Sequence, residues 1–434
     1  MGFYGGLHPK EEKKSRHYRF ETLPLPQYLY LHLQQHAGKI SKPLVKTGDY
    51  VLKGQKIAEA DGLISSNLHS PVSGKVIDIK EIYHPTLCRK MPAIIIENDG
   101  KNTSVEFSSK YKDYHRFPKE ELVNHIKESG VVGLGGAMFP THIKLNPPKD
   151  KLIDYVIANG CECEPYLTVD DRVMQEYYDE VVEGLRIVMY IVDAMKGIVV
   201  IEDNKPEAIY KIKQKVEKVP NVEVKVVKTR YPQGAEKQLI KTVLNREVPS
   251  GGLPMDVGVI VHNVSTLVAI YRCITKGIPL IERAVTISGN INRIGNFILP
   301  IGISIKDIVH ILNIDLTDIN KIIMGGPMMG IAQKTLDTPV IKGTSGIIFL
   351  TNQIDDFYFQ CIRCAKCISV CPMKLMPNFL SVYIEHKKWE KLQKYSLYDC
   401  IECGCCSYIC VAKRPIVSQI KYAKEFLKIQ NINR

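Results

Sequence analysis

Two cysteine runs of identical spacing decide the fold of the C-terminal part of the chain. The first reads Cys361-Ile-Arg-Cys364-Ala-Lys-Cys367-Ile-Ser-Val-Cys371, and the second reads Cys400-Ile-Glu-Cys403-Gly-Cys-Cys406-Ser-Tyr-Ile-Cys410. Both follow the pattern C-x2-C-x2-C-x3-C, and the second begins 39 residues after the first. In a reducing compartment, such a density of thiols favours metal ligation over disulfides.

The doubled pattern predicts two [4Fe–4S] clusters, because in two-cluster proteins the fourth cysteine of each run ligates the other cluster. Zinc is the alternative, but structural zinc sites usually use separated C-x2-C pairs, which would leave the third cysteine surplus. Cys405 lies outside the ligand spacing and is expected to be a buried thiol beside a cluster. The predicted ligands are a first cysteine set of Cys361, Cys364, Cys367 and Cys410, and a second cysteine set of Cys371, Cys400, Cys403 and Cys406.

Length and composition limit the remaining possibilities. The chain has 434 residues, which suggests about three domains. Hydrophobic residues make up 45% and charged residues 24%, so a largely disordered chain is excluded. The net charge of +12 favours acidic partners or an anionic surface, but a single Trp and the lack of basic–aromatic interleaving argue against nucleic acid. No apolar run suits a membrane helix or a signal peptide, so a cytosolic protein that can dock on a membrane protein is expected.

The pattern along the chain predicts five regions. Residues 1–40 are polar and proline-punctuated, as in an extended lead-in, and residues 41–105 alternate short apolar runs with glycine turns, as in a small all-β unit. Strands alternate with helices over residues 110–250, which predicts an α/β domain with a parallel sheet. Residues 255–350 resemble a compact α+β unit, and residues 355–434 are mostly helical and end in a basic tail.

A glycine-rich stretch, Gly133-Leu-Gly-Gly-Ala-Met-Phe-Pro-Thr141, indicates a nucleotide site. Its glycines let backbone N–H groups approach a phosphate, and Lys144 adds a positive charge. The spacing differs from the Rossmann fingerprint, so a standard dinucleotide fold is not expected.

Two further stretches support a nucleotide site. Asn159-Gly-Cys-Glu-Cys-Glu-Pro165 follows a predicted strand, which places its acids where ligands bind in open α/β sheets. In Tyr231-Pro-Gln-Gly-Ala-Glu236, a predicted turn, the tyrosine and the glutamate are expected to face the same region. Cys161 and Cys163 form a C-x-C pair without partners, which indicates packing and not metal binding.

Taken together, these residues resemble the C subunit of the Rnf ion-translocating ferredoxin:NAD oxidoreductase complex. The matching segments are residues 5–9, 133–145, 159–174 and 231–240 and both cysteine runs. The middle of the chain is similar to the flavin-binding subunit of respiratory complex I. The resemblance implies a multidomain α/β and α+β fold: a lipoyl-like β unit, a complex I flavoprotein-like domain, a β-grasp domain, and a helical ferredoxin-like domain with two [4Fe–4S] clusters.

The resemblance also implies which residues hold FMN and NAD(H). Met138 stands where the family loop has glycine, and Cys161 and Ala235 replace acidic residues of the complex I relative. No general acid–base residue is expected, because hydride transfer needs positioning more than proton chemistry. The implied FMN contacts are Gly133, Gly135, Lys144, Asn159, Glu162, Tyr231, Gly234 and Asn263, and the implied NAD(H) contacts are Gly136, Ala137, Phe139, Glu164 and Glu236.

The region at residues 41–105 resembles a lipoyl or biotinyl carrier domain. Carriers have a lysine at the hairpin tip, whereas Asp61 and Gly62 stand here, so neither lipoate nor biotin can be attached. A structural or docking role is expected.

The implied function is electron transfer. NADH gives up two electrons as a hydride and an iron–sulfur cluster carries one, so a flavin is needed between them. The resemblance implies a peripheral subunit on the cytoplasmic face of the cell membrane, with membrane subunits and an iron–sulfur subunit of the Rnf complex as partners and ferredoxin as an indirect one. Other subunits would translocate the ion. The alternatives are a cobalamin reductase of a bacterial microcompartment, which shares this domain order, and a non-catalytic connector that carries clusters beside a degenerate nucleotide pocket.

Overall fold

The computed structural model describes residues 2–351 and 357–430. Its strands, in chain order, are β1 (Phe20–Thr22), β2 (Tyr28–His32), β3 (Lys42–Pro43), β4 (Tyr50–Val51), β5 (Lys56–Glu59), β6 (Leu68–His69), β7 (Gly74–Tyr83), β8 (Lys90–Asn98), β9 (Tyr155–Gly160), β10 (Lys196–Glu202), β11 (Val222–Val227), β12 (Val259–Asn263), β13 (Glu282–Gly289), β14 (Gly295–Pro300), β15 (Lys321–Met324), β16 (Ile331–Ala332) and β17 (Gly346–Leu350). The α-helices are α1 (Lys119–Glu128), α2 (Thr141–Lys144), α3 (Val169–Glu176), α4 (Tyr178–Ile191), α5 (Pro206–Val216), α6 (Glu236–Leu244), α7 (Val264–Lys276), α8 (Ile305–Ile311), α9 (Lys366–Ser369), α10 (Pro377–Glu385), α11 (Trp389–Leu392), α12 (Cys405–Tyr408) and α13 (Ile416–Ile429).

The first structural unit, here called the sandwich unit, consists of a four-stranded sheet in the order β2-β8-β7-β4 and a three-stranded sheet in the order β3-β5-β6. Strand β2 pairs antiparallel with β8, so this unit begins before residue 41, where the sequence pattern placed its start. The reason is the alternation along β2, which puts Leu29 and Leu31 on the buried face. Residues 1–40 are therefore not a separate lead-in.

The second unit, the parallel-sheet unit, contains the sheet β11-β10-β9-β12, in which all neighbours are parallel. The sequence pattern assigned β12 to the following domain, but β12 pairs with β9 and α7 packs on α4. The boundary therefore lies after α7, because the apolar faces of β12 and α7 are buried in the core of this unit. The carboxyl ends of β9, β10, β11 and β12 meet at one edge, where ligands bind in open α/β sheets.

The third unit, the mixed-sheet unit, is a six-stranded sheet in the order β1-β14-β13-β17-β15-β16, with α8 against it. Strand β1 comes from the predicted lead-in and lies parallel to β14. The core of this unit contains Val285, Ile287, Phe297, Ile347 and Phe349. It packs beside the parallel-sheet unit, and the segment between β16 and β17 reaches the glycine-rich stretch.

The fourth unit, the helical unit, is a duplicated arrangement. Helices α9 and α12 begin 39 residues apart, and so do α10 and α13. The backbone repeats as well, because Arg363 and Glu402 have φ of +58°, and Ala365 and Gly404 also have positive φ. Each cysteine run therefore forms the same turn, and the two turns pack against each other through α9 and α12.

The basic tail is partly neutralised within the described residues. Arg414 donates to Glu385 at 2.6 Å, and Lys424 donates to Glu402 at 2.8 Å. Residues 431–434 and the predicted domain boundary at residue 355 lie outside the described residues.

Candidate functional site

The glycine loop, residues 133–141, forms an open cradle of backbone N–H groups. The amide of Gly133 donates to the carbonyl of Phe139 at 2.9 Å, and the amide of Met138 donates to the carbonyl of Gly133 at 3.2 Å, which closes the loop. The amides of Gly135, Gly136 and Ala137 at its tip have no acceptor among the described residues. Gly136 has φ of +101°, and a Cβ built there would have no atom within 4 Å. Consecutive unpaired N–H groups of this kind bind anions, and a flavin phosphate fits them.

Met138, which replaces the glycine of the family loop, leaves this cradle open. Its φ of +50° is in the left-handed region, and its Cγ and Sδ lie against Gly343 of the mixed-sheet unit. Its carbonyl accepts a hydrogen bond from the amide of Ala37 at 3.0 Å. The side chain therefore packs against the mixed-sheet unit and the neighbouring core, which removes the reason for regarding the nucleotide pocket as degenerate.

The N-terminus of α7 adjoins the loop and brings a carboxylate with it. Asn263 caps α7 by accepting from the amide of Ser265 at 2.9 Å, and its side chain lies 3.2 Å from the Cβ position of Gly135. Asn263 donates to Asp170 at 2.6 Å, and Ser265 donates to the same carboxylate at 3.0 Å. Burial raises the pKa of Asp170. The sequence analysis did not identify Asp170 as a site residue, because an aspartate in the first turn of α3 is explained by its favourable interaction with the helix dipole.

Two predicted pairs tie the sheet edge together. The Nζ of Lys144 donates to Glu236 at 2.7 Å and to the carbonyl of Val261 at 2.6 Å. The side-chain amide of Asn159 donates to the carbonyl of Gly234 at 2.9 Å. The structure therefore groups these four predicted residues at the carboxyl edge of the sheet, where Asn263 also lies.

Glu162 belongs to a buried ionic cluster at the same edge. Its carboxylate accepts from the amides of Asp170 at 2.8 Å and Asp171 at 3.3 Å, and lies 4.0 Å from the Nζ of Lys13. Lys13 also donates to the carbonyls of Glu162 at 2.8 Å and Leu167 at 2.5 Å. Burial raises the pKa of Glu162 to about 7, against the opposing effect of Lys13. The long separation in sequence between Lys13 and Glu162 hid this contact.

Tyr231 and Glu164 lie at the junction with the helical unit and not at the glycine loop. Tyr231 is 1% exposed, and its hydroxyl donates to the carbonyl of Cys403 at 2.6 Å. Glu164 accepts from the amides of Met328 at 3.0 Å and Met329 at 2.9 Å, and burial raises its pKa to about 7. Tyr231 and Glu236 therefore contact different regions, which differs from the expectation that they face the same one.

The two cysteine sets line two separate cavities in the helical unit. The first set lines one cavity, and the second set lines another together with Cys405. Each set thus combines three sulfurs from one run with one from the other. Among the described residues, no three His, Cys, Asp or Glu side chains converge as a single metal ion requires. Sulfurs spread around a cavity suit a cubane held at its corners better than one tetrahedral zinc.

The remaining cysteines of interest are packed. Cys405 is fully buried, lines the second cavity and joins Tyr231 and Leu7 in an apolar cluster. The Sγ of Cys161 lies 3.8 Å from the carbonyl of Val200, and burial raises the pKa values of Cys161 and Cys163. Buried neutral thiols of this kind pack as small apolar groups.

Comparison with known proteins agrees with this geometry. Residues 1–101 match the RnfC barrel sandwich hybrid domain, residues 126–272 the Nuo51 FMN-binding domain, and residues 354–411 the 4Fe-4S dicluster domain. The C subunit of the proton-translocating ferredoxin:NAD(+) oxidoreductase complex of Clostridium ljungdahlii is 46% identical, over 97% of this chain and 93% of the relative. The Na(+)-translocating counterpart of Acetobacterium woodii is 40% identical, over 97% of this chain and 96% of the relative.

A solved structure shares the fold. The NAD+-reducing [NiFe]-hydrogenase in the air-oxidized state aligns with a TM-score of 0.51 and 17% identity. The alignment covers 72% of this chain and 61% of that chain.

The fold and the site define an electron-transfer oxidoreductase subunit whose cofactors are FMN and two [4Fe–4S] clusters. Within that class, the chain belongs to the RnfC family, the C subunits of ion-translocating ferredoxin:NAD(+) oxidoreductase (Rnf) complexes. The resemblance seen in the sequence and the predicted fold class are thereby confirmed. The family assignment favours this identity over a microcompartment cobalamin reductase.

Proposed function

We propose that the chain passes electrons between NAD(H), FMN and two [4Fe–4S] clusters as a peripheral subunit on the cytoplasmic face of the membrane. The observation that carries the proposal is the direct contact between the sheet edge and the second cysteine cavity, made by Tyr231 and Cys403. FMN would supply the conversion between a two-electron donor and one-electron carriers. The protein's own residues would bind NAD(H), FMN and the clusters and hold them at the distances that electron transfer needs.

The residues proposed to hold the nucleotides are those at the glycine loop and the sheet edge. The unpaired amides of the loop tip and the N-terminus of α7 would bind the flavin phosphate, since both present partial positive charge. The proposed FMN contacts are Gly133, Gly135, Lys144, Asn159, Glu162, Gly234 and Asn263, and the proposed NAD(H) contacts are Gly136, Ala137, Phe139 and Glu236. Tyr231 and Glu164 are left out of both sets, because their polar groups are bonded at the junction with the helical unit.

The second cysteine set is proposed as the site nearer to the flavin. Three contacts join its walls, or the residue next to Cys371, to the rest of the chain, in addition to that of Tyr231. Gln238 donates to the carbonyl of Pro372 at 3.0 Å, and the amide of Gly6 donates to the carbonyl of Val370 at 2.9 Å. Gly404 packs directly on the carbonyl of Met328. These contacts hold the second cavity against the nucleotide half of the molecule.

The first cysteine set is proposed as the exchange point with another subunit. Cys364 is exposed, Ile362 is 65% exposed and Val411 is 50% exposed, and both apolar side chains line the first cavity. Exposed apolar groups around a redox site suit a protein contact. We propose that an iron–sulfur subunit of the complex docks here and connects this chain indirectly to ferredoxin.

Ion translocation is assigned to the other subunits. Within residues 2–351 and 357–430, no helix combines the length and apolarity needed to cross a bilayer. Docking on membrane subunits would place this chain at the membrane surface.

An anaerobic NADH titration of the full chain tests the proposal. NADH should bleach the flavin absorbance and then reduce both clusters, as followed by electron paramagnetic resonance. Cys403→Ala should prevent NADH from reducing the remaining cluster, although dithionite still reduces it, whereas Cys364→Ala should leave NADH reduction of its remaining cluster intact. Cys88→Ala, at an exposed cysteine of the sandwich unit, is the control. Flavin that NADH does not bleach would contradict the proposal and favour the non-catalytic connector.

A further inference from the structure

The mixed-sheet unit contacts the glycine loop and the turn before it with two buried basic side chains that the nucleotide site does not otherwise use. We propose that Arg283 and Lys342 are positioning residues, which hold backbone carbonyl groups in and just before the glycine loop so that the free amides of the loop point at the flavin phosphate. The inference rests on the proposed function, because it concerns the same nucleotide site. It assigns to the mixed-sheet unit a part in flavin binding.

Arg283 holds the middle of the segment. It lies on β13, is 2% exposed, and donates from Nη2 to the carbonyl of Leu134 at 2.6 Å. Its Nε donates to the carbonyl of Thr344 at 2.9 Å, so one planar guanidinium connects the loop to the segment before β17. The amide of Leu134 is fixed as well, since it donates to the hydroxyl of Thr266 at 2.9 Å. Both polar groups of Leu134 are therefore engaged.

Lys342 holds the start of the segment. It is 1% exposed, and its Nζ donates to the carbonyl of Gly130 at 2.7 Å and to the carbonyl of Asn67 at 2.7 Å. Asn67 belongs to the sandwich unit and Gly130 to the turn after α1. One lysine side chain therefore joins three units immediately before the loop.

The anchored carbonyl of Leu134 determines where the first free amide points, while Lys342 fixes the backbone at Gly130, before the loop. In a planar trans peptide, the carbonyl of one residue and the N–H of the next point in opposite directions. With the carbonyl of Leu134 directed at Arg283, the N–H of Gly135 must point away from the mixed-sheet unit. Gly135 carries the first of the three unpaired amides, so Arg283 fixes the beginning of the cradle.

Arg283 is also one of the positive charges that face the buried acids of the site. Its charge opposes the effect of burial, which raises the pKa of Asp170, while Lys13 has the larger opposing effect on the pKa of Glu162. Asp170 in turn binds Asn263 beside the loop. Loss of Arg283 would therefore loosen the loop from two directions. Met138 adds a third contact with the mixed-sheet unit, at Gly343.

A preformed loop binds a ligand more tightly than a mobile one, because it loses less conformational entropy on binding. A glycine-rich segment has more freedom to lose than any other. Without its anchors, we expect the affinity for FMN to fall about tenfold or more, which corresponds to the ordering of about one residue.

The test uses the full chain with its flavin removed and then restored, and FMN fluorescence quenching reports the affinity. Arg283→Lys keeps the charge but removes the planar fork, and Lys342→Met removes the charge but keeps the length. Arg272→Lys is the control for the same exchange at a half-buried arginine of α7, which pairs with Glu180 away from the loop. We expect weaker FMN binding in the first two variants, faster amide exchange in the loop, and unchanged iron content. At saturating FMN, the kcat for NADH oxidation should recover.

The possible outcomes distinguish failure of the proposed function from failure of the positioning roles of Arg283 and Lys342. If the original chain binds no FMN, the proposed function fails. If it binds FMN and both anchor variants bind it equally well, the positioning roles are wrong while the function stands. A loss of iron together with flavin would show that these residues support the whole fold, and would also contradict the inference. A weaker affinity in Arg272→Lys equal to that of Arg283→Lys would do the same.

Discussion

Mild acid should unfold the sandwich unit before the rest of the molecule, because this unit buries four uncharged histidines. Burial lowers the pKa of His32 and His69 to about 3 and that of His36 and His84 to about 4. His84 shows the cost of protonation most clearly. Its Nε2 donates to the carbonyl of Gln34 at 2.7 Å, and its Nδ1 accepts from two backbone amides of the following turn at 3.2 Å. A proton on Nδ1 would break both of those bonds.

The sign and size of the effect follow from proton linkage. A histidine whose pKa is lower in the folded protein than its ordinary value near 6.5 binds protons better when unfolded. The free energy of unfolding is therefore unaffected by this histidine above about pH 6.5, and it decreases as the pH falls from there towards the pKa of the folded state. For His84, the free energy of unfolding should fall by about 2 kcal/mol on going to about pH 5. The summed effect of four such histidines is comparable to the free energy of unfolding of a typical domain, about 5–15 kcal/mol.

Amide hydrogen exchange of the peptides covering β7 and β8, measured at about pH 7 and about pH 5 and corrected for intrinsic rates, reports the local stability. His84→Gln keeps a donor and an acceptor but cannot titrate, so it should reduce the difference between the two pH values by about 2 kcal/mol. His310→Gln, at an exposed histidine of α8, should leave the difference unchanged. A difference in His84→Gln as large as in the original chain would refute the reasoning.

Three further changes test other features. Gly136→Ala and Gly100→Ala should each destabilise the fold by about 1 kcal/mol, because both glycines have positive φ in open space, but only Gly136→Ala should weaken FMN binding in a fluorescence titration. Gly5→Ala should expose the helical unit to proteolysis, since its Cβ would lie 2.8 Å from backbone atoms of the first cysteine run, whereas Gly2→Ala, with no atom within 4 Å, should not. Cys405→Ala should retain about eight iron atoms per chain in a colorimetric assay, and a loss of half the iron would show that this thiol is a ligand.

The cysteine runs and the strong periodicities could be interpreted from the sequence because each depends on local spacing. The three-residue intervals from Cys361 to Cys367 are set within one turn, and the β-branched run predicts β11 with its observed bounds. The grouping of Cys410 with the first run could also be predicted, because in a doubled pattern the fourth cysteine of each run ligates the other cluster. Local spacing does not show which sheet an element joins. The sequence pattern predicted β12 and α7 as elements but assigned them to the following domain, because their apolar periodicity would be the same in either unit.

Contacts between distant segments could not be predicted in this way. Lys13 is one of many lysines near the start of the chain, and only the fold shows that it lies against Glu162. Arg283 and Lys342 look like ordinary charged residues of a strand and a turn, yet both are buried beside the glycine loop. Tyr231 looks like part of a nucleotide turn in the sequence, and its contact with Cys403 depends on how two units pack.

The segment around Gly5 and Leu7 has a consequence for biosynthesis. Leu7 pairs with Tyr231, and the amide of Gly6 binds the carbonyl of Val370, so this strap is held between partners that the ribosome makes far later. Contacts so distant along the chain form slowly, after the loops between them have closed. The N-terminal segment should therefore join the helical unit late in folding, after both cysteine runs have been synthesised.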